Sequence, residues 1–473
     1  MKREDKVNEM DGIDRDLKEL TDRVDKVLDE TERKFARCPK CGLPTHLGQD
    51  RRKAFCANCN MYYDVSEKSS GKKKLKKRNR KVPIKATIIF GVFAVIFLIL
   101  VSSLGYYLFH IESDPGLIDI QDVNEIRKLP IANDVPMKTM TSSQLEIYIQ
   151  ESIDDDARRE IRNDEALYKF LFIIPDYWDL VDIYENESSG GGIAGMYDTE
   201  LEEMYVIGEG HSRNYINSIL SHEYTHALQD QNFDLDSIYP ADTFDSNLAM
   251  LCSIEGDAMR TMGKWEDSNL EEWEKALLDI ESLMQAMSTL DLEGEYYSSP
   301  VLSELMYFPY KEGLEFVKMV YGEGGMDAVN DLFTERPAIS TEQIMHFNKY
   351  LEYERPKNVT FNGDTSGLDL QFKTTVGEKI LKEAIGDTAM GWGGDSFYHY
   401  TSSDSFLSVL VTEWDTPEEN IGFASDYENM LEFNGWKNGD VYSIGGNYAY
   451  MRVDGGGTSI FYSDSMAIID RFS

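Results

Sequence analysis

A chain of 473 residues exceeds what one hydrophobic core usually organises, so two or more domains are expected. Its net charge of -38 is unevenly divided: residues 1–85 hold 24 Lys and Arg against 15 Asp and Glu, leaving 23 against 70 in residues 86–473. The strongly acidic C-terminal part should repel nucleic acid and anionic lipid, which argues against a nucleic-acid role for it.

Taken in order, the chain opens with a segment, 1–34, in which Met10, Leu17 and Val24 recur at one heptad position and Ile13, Leu20 and Val27 at another. This predicts a short coiled-coil seam over about residues 6–30, able either to pair two copies as a homodimer or to pack as a lone amphipathic helix. Next, Cys38 and Cys41 form one CxxC knuckle and Cys56 and Cys59 a second, with fourteen residues between them. Each knuckle brings two thiolates onto a tight turn and two knuckles complete a tetrahedron, so 35–66 reads as a four-cysteine ribbon around one structural zinc. Two disulfides are the competing reading. Whether the ribbon binds protein, nucleic acid or zinc alone is left open by its residues. The fifth cysteine, Cys252, reads as a small buried hydrophobe.

Residues 67–85 are basic and run into an uncharged stretch over 86–109, which as a helix would span roughly 36 Å against about 30 Å of bilayer hydrocarbon. The expectation is a single-pass transmembrane helix in the cell membrane, with the N-terminus cytoplasmic and the C-terminal domain extracellular. A linker is expected over 110–140. A helix should begin near Ser143, capped through Glu146, and its run should end at Pro175. Ser188 to Gly192 breaks the pattern, and Ile193 to Tyr197 with Met204 to Ile207 reads as a β-hairpin. Its edge could add an extended peptide as a further strand or be purely structural.

The stretch that carries most chemistry is His222-Glu223-Tyr224-Thr225-His226. Residues 214–231 contain neither Pro nor Gly, and a helix there sets His222 and His226 one turn apart on one face, with Glu223 beside them. Two neutral imidazoles as ligands, a carboxylate next to an activated water and a third ligand from elsewhere are what zinc hydrolysis requires. A second helix over Phe244 to Met262 carries Glu255. The remaining pattern is helical over 266–335 with a turn at 322–325. A helix near 375–386 and another over 418–431 are then interleaved with strands at 397–401, 406–414, 441–444, 448–453 and 459–462.

HEYTHALQDQ followed by Glu255-Gly256-Asp257-Ala258 resembles a group of bacterial and archaeal zinc metallopeptidases, gluzincin-like and distantly thermolysin-like. The likeness includes Gly195 to Asp198, Phe308-Pro309-Tyr310 with Gly313, Ser340 to His346 and Gly391 to Asp395. It implies His222, His226 and Glu255 as ligands of one catalytic zinc and Glu223 as general base. Two departures stand out. The thermolysin pattern has an Asp four residues after the ligand Glu, where this chain has Met259, and Asp257 falls on the far side of an ideal helix. Phe347 replaces a common Pro. The oxyanion donor would come from His346, Tyr350, Tyr398 or His399, of which His346 lies in a motif that the resemblance covers.

The fold expected is therefore α+β: a mainly helical zincin-like peptidase domain over 141–350 with a β-hairpin edge, and an α+β region over 351–473. A separate zinc ribbon and one transmembrane helix precede them. The function expected is that of a membrane-anchored zinc metallopeptidase acting on peptide or protein substrates. A catalytically silent binding module is the first alternative, and a membrane sensor or scaffold working through the ribbon is the second.

Overall fold

The computed structural model describes residues 36–37, 40, 44–47, 53–56, 61–64, 117–118, 120–187, 194–207, 210–238, 241–290 and 299–473. The heptad segment 6–30, the basic stretch, the apolar run 86–109, the glycine break and Cys38, Cys41 and Cys59 lie outside them, and of Cys56 only the backbone is described.

Within the segment expected to form a ribbon, β1 (Ala36–Arg37), β2 (Pro44–Leu47), β3 (Lys53–Cys56) and β4 (Met61–Asp64) form an antiparallel sheet in sequence order. The segment expected as a linker carries helix α1 (Ile120–Arg127) and strand β5 (Met137–Thr139). The predicted first helix is two. α2 (Ser142–Ser152) starts at a capping box between Thr141 and Gln144, two residues before the expected one, and α3 (Asp155–Phe170) restarts on Asp154, whose side chain caps it. α4 (Leu180–Glu187) follows. The hairpin forms as β6 (Gly195–Asp198) and β7 (Glu203–Val206), with β5 added parallel to β7, so that β6 is left as an edge.

Two long helices then cross the centre. α5 (Arg213–Phe233) is capped by Ser212 and stopped by Asp234 in the left-handed region, at φ 56°. After α6 (Leu235–Ile238), α7 (Phe244–Asn269) opens with a Thr243–Ser246 capping box. α8 (Glu272–Leu290) and α9 (Pro300–Asp331) complete the helical body, α9 bending where Gly325 leaves helical geometry at φ 69°. α7 and α9 cross at glycines: a Cβ on Gly256 would lie 2.3 Å from the Gly313 carbonyl oxygen, and one on Gly313 would lie 2.5 Å from that of Cys252. Only backbone-to-backbone packing fits there. Cys252 is a free, fully buried thiol, as read from the sequence.

Short helices α10 (Thr341–Met345) and α11 (Phe347–Glu352) lead to an antiparallel seven-stranded sheet. Its order is β11-β12-β13-β14-β10-β9-β8, from β8 (Asp369–Thr374), β9 (Trp392–Thr401), β10 (Phe406–Trp414), β11 (Trp436–Asn438), β12 (Val441–Ile444), β13 (Asn447–Asp454) and β14 (Gly457–Ser463). α12 (Glu378–Ile385), α13 (Pro417–Asn434) and α14 (Met466–Ile469) accompany it. One buried apolar cluster runs from Leu167 and Phe170 through Phe316 and Tyr350 to Trp392, Phe397 and Tyr427, without a break at residue 350. The architecture is α+β, as expected.

The single-pass assignment and the divided localisation need correction. Among the described residues no helix is long and apolar enough to cross a membrane. The ribbon strands also rest on α13: Lys53 Nζ donates to Asn429 Oδ1 at 2.8 Å and pairs with Glu432 at 3.3 Å, and the rings of Tyr62 and Phe433 meet edge-on with centroids 5.7 Å apart. Two parts assigned to opposite sides of a bilayer are in contact, which the proposed topology does not allow.

Candidate metal centre

The i, i+4 spacing on α5 turns His222 and His226 towards α7, which supplies Glu255. The three ligand atoms converge: His222 Nε2 to His226 Nε2 is 3.0 Å, His222 Nε2 to Glu255 Oε2 is 3.1 Å, and His226 Nε2 to Glu255 Oε2 is 3.4 Å. A tetrahedral ion with bonds of about 2.0–2.1 Å needs its ligand atoms about 3.3 Å apart. Two nitrogens and one oxygen at these separations therefore fit zinc. Burial pushes the Glu255 carboxyl up, but the two imidazoles hold it well below the usual carboxylate range. Burial pulls His226 down, and Glu255 more than offsets it, raising the imidazole to about 9.

Glu223 sits beside the triad, held from the hairpin side. The backbone N–H of Tyr197 donates to its Oε2 at 2.9 Å, which turns the edge of β6 towards the centre. β6 can lie this close because position 195 is glycine, where a Cβ would be 2.8 Å from Ile219 Cγ2 and 3.3 Å from Glu223 Cγ. The Tyr197 hydroxyl donates to Asp230 Oδ2 at 3.0 Å, fastening the strand to α5 a second time.

Tyr310 reaches the site from α9, one turn before the glycine crossing. Its ring lies over that of His222, with centroids 6.2 Å apart and an angle of 23°, and its phenol lies within the electrostatic reach of Glu255 and Glu223. Burial, then the charges of Glu255 and Glu223, raise its phenol well above the ordinary value. It stays protonated and able to donate, and the residue as a whole is 39% exposed, so a ligand can reach it.

The imidazole of His226 has a partner on its other nitrogen. Nδ1 lies 3.0 Å from Gln229 Oε1, and Gln229 is itself held by Asp257. Asp257 is not one of the converging ligands; its side chain meets Gln229 and Arg127 of α1.

His222, Glu223, His226 and Glu255 are thus brought together. His346 is engaged elsewhere, its Nε2 3.0 Å from Glu378 Oε1. Tyr350 donates to Arg336 O, the Tyr398 hydroxyl accepts from the Phe361 N–H, and His399 Nδ1 meets Ser408 Oγ, burial lowering that imidazole to about 4. Each of the four suggested donors therefore has a structural partner. A second carboxylate cluster among the described residues, Glu342, Glu354 and Asp415, already surrounds a cation: Lys349 Nζ lies 3.0, 2.7 and 2.9 Å from them.

A family described as Domain of unknown function (DUF8575) matches residues 352–466, which covers the seven-stranded sheet and leaves the metal-ligand cluster outside. No curated protein and no solved structure matches the chain.

Proposed function

We propose that the chain is a zinc-dependent peptidase of the gluzincin-like kind, with His222, His226 and Glu255 holding the ion. The observation that carries this reading is the convergence of their ligand atoms to 3.0–3.4 Å beside a carboxylate fixed by a backbone amide. When bound, zinc supplies a Lewis acid that polarises a carbonyl and makes a neighbouring water more acidic.

The chain's own residues supply the remainder. An extended peptide lies along the free edge of β6, its scissile carbonyl near Glu223. Glu223, with one oxygen occupied by the Tyr197 N–H, keeps the other to take a proton from the attacking water and then deliver it to the departing amine. The Tyr310 hydroxyl donates to the substrate oxygen as negative charge builds there. This gives Tyr310 the role that the sequence suggested for His346.

The test is zinc content together with peptide hydrolysis. Replacing His222 with Ala should remove one equivalent of zinc relative to the unaltered chain. Glu223→Gln should keep that equivalent and lose about 100-fold or more in turnover of a mixed peptide library. A chain that binds the ion and cleaves nothing is a silent binding module, and undiminished cleavage by Glu223→Gln refutes the mechanism.

A further inference from the structure

Resting on that reading, we infer that Arg127, Asp257 and Gln229 form a relay that fixes the tautomer of His226 and so aims its Nε2 lone pair at the metal. The argument is one of donors and acceptors. Gln229 is fully buried, and its amide nitrogen lies 3.0 Å from Ile254 O and 2.9 Å from Asp257 Oδ2. Both partners only accept, so the NH2 end of the amide must face them and the carbonyl end must face His226. That carbonyl, 3.0 Å from Nδ1, can only accept, so Nδ1 carries the hydrogen. Nε2 is then the nitrogen left to bind the metal.

The amide keeps this orientation only while Asp257 is an acceptor. Asp257 is fully buried, and Arg127 Nε donates to its Oδ2 at 2.6 Å. Arg127, equally buried, is anchored in turn by Nη1 donating to Asn330 Oδ1 at 2.8 Å. A guanidinium N–H can only donate, so Asp257 Oδ2 faces it as an acceptor and presents the same oxygen to the Gln229 amide. The pair is not an economical way to stabilise a core. Among the described residues Asp257 Oδ1 and Arg127 Nη2 are buried without a hydrogen-bond partner, and apolar residues of the same volume often serve a core as well or better. Orientation of Gln229 accounts for its presence. Arg127 and Asp257 act through another residue and are positioning residues. They also replace the support that an Asp at position 259 would have given, and they give it to the second histidine instead of the first.

Two measurements test the relay. Selective 15N-histidine NMR of the metal-free full chain at alkaline pH, with His226 assigned by loss of its signal in His226→Gln, should show Nδ1–H, opposite to the Nε2–H form preferred by an unconstrained imidazole. Zinc affinity, measured by competition with a chelating indicator, should fall about 10–100-fold in Gln229→Met. It should also fall in Asp257→Asn, although Asp257 touches neither His226 nor the ion. Circular dichroism identifies variants that fail to fold, and the tautomer of the unaltered chain then decides. An Nε2–H form, or folded variants with unchanged affinity, overturns the relay while leaving the zinc site standing. A chain with no zinc beyond that retained by His222→Ala overturns the peptidase reading and the relay together.

Discussion

The glycine crossing of α7 and α9 sets where Tyr310 stands, and Gly313→Ala perturbs it without touching any candidate ligand. A Cβ at this position lies 2.5 Å from Cys252 O, 3.0 Å from its Cα and 3.1 Å from its carbonyl carbon. Optimal separation of such atoms is about 3.5 Å, so the helices must part by about 1 Å. Overpacking of this kind costs about 1–3 kcal/mol, and the better helix propensity of alanine returns about 1 kcal/mol. At roughly 2–4 °C per kcal/mol, the melting temperature should fall by several degrees at most. The effect on turnover should be larger, because a misplacement of about 1 Å costs on the order of 100-fold in rate. Thermal unfolding and steady-state hydrolysis of a fluorogenic peptide, with zinc content as control, give both numbers on one preparation. A variant with wild-type melting and wild-type turnover would refute the idea that this crossing positions Tyr310.

Tyr310→Phe, which keeps the ring over His222 and removes the hydroxyl, should lower kcat by about 100-fold with zinc content unchanged; a change confined to KM would assign the hydroxyl to ground-state binding. Asp245 is fully buried beside Gly377, and burial pushes its carboxyl to about 7 against the pull of two hydrogen bonds from Thr341. A carboxyl held above its unfolded value of about 4 favours the fold at low pH, and that contribution is lost as pH rises from about 4 to about 7. Asp245→Asn should therefore gain on the wild type across that window, on the order of 4 kcal/mol at its alkaline end, and parallel pH profiles of unfolding would refute the assignment. Lys349→Met leaves the buried Glu342 facing two other carboxylates and should destabilise by about 3 kcal/mol in urea unfolding; an unchanged midpoint would show that the hub contributes nothing.

The central helices were legible because their signals are local. The spacing of His222 and His226 fixes their shared face wherever the helix lies, and the absence of Pro and Gly between Arg213 and Phe233 lets that helix form. The strands of the C-terminal sheet were legible for the same reason, from runs of aromatic and β-branched residues between turns. What could not be read depends on partners distant in sequence. α1 is eight residues long and β5 only three, too short to persist alone. They are held by Asp257 and by β7. The first capping box was misplaced because Thr141–Gln144 and Ser143–Glu146 both satisfy the pattern, and only the path of the backbone decides between them. Gln229 was visible one turn past His226, but glutamine is ordinary on a helix, and its meaning comes from Asp257. His346 stood in a matching motif, yet motif membership does not reveal that Glu378 already holds its ring.

The contact between Arg127 and Asp257 also imposes an order in time. The two residues are 130 positions apart, and Asn330, the other partner of Arg127, comes 203 positions after it. At about 5–20 residues per second, the ribosome releases Arg127 roughly 7 to 26 s before Asp257. During that interval Val123 of α1 can already join the apolar cluster of Leu220 and Leu228 on α5, but the carboxylate that Arg127 is to meet has not yet been made. The histidine pair emerges before its supporting charge can be seated. The support for His226 is therefore completed later in synthesis than the histidine pair itself, once Asp257 of α7 and Asn330 of α9 have both been added.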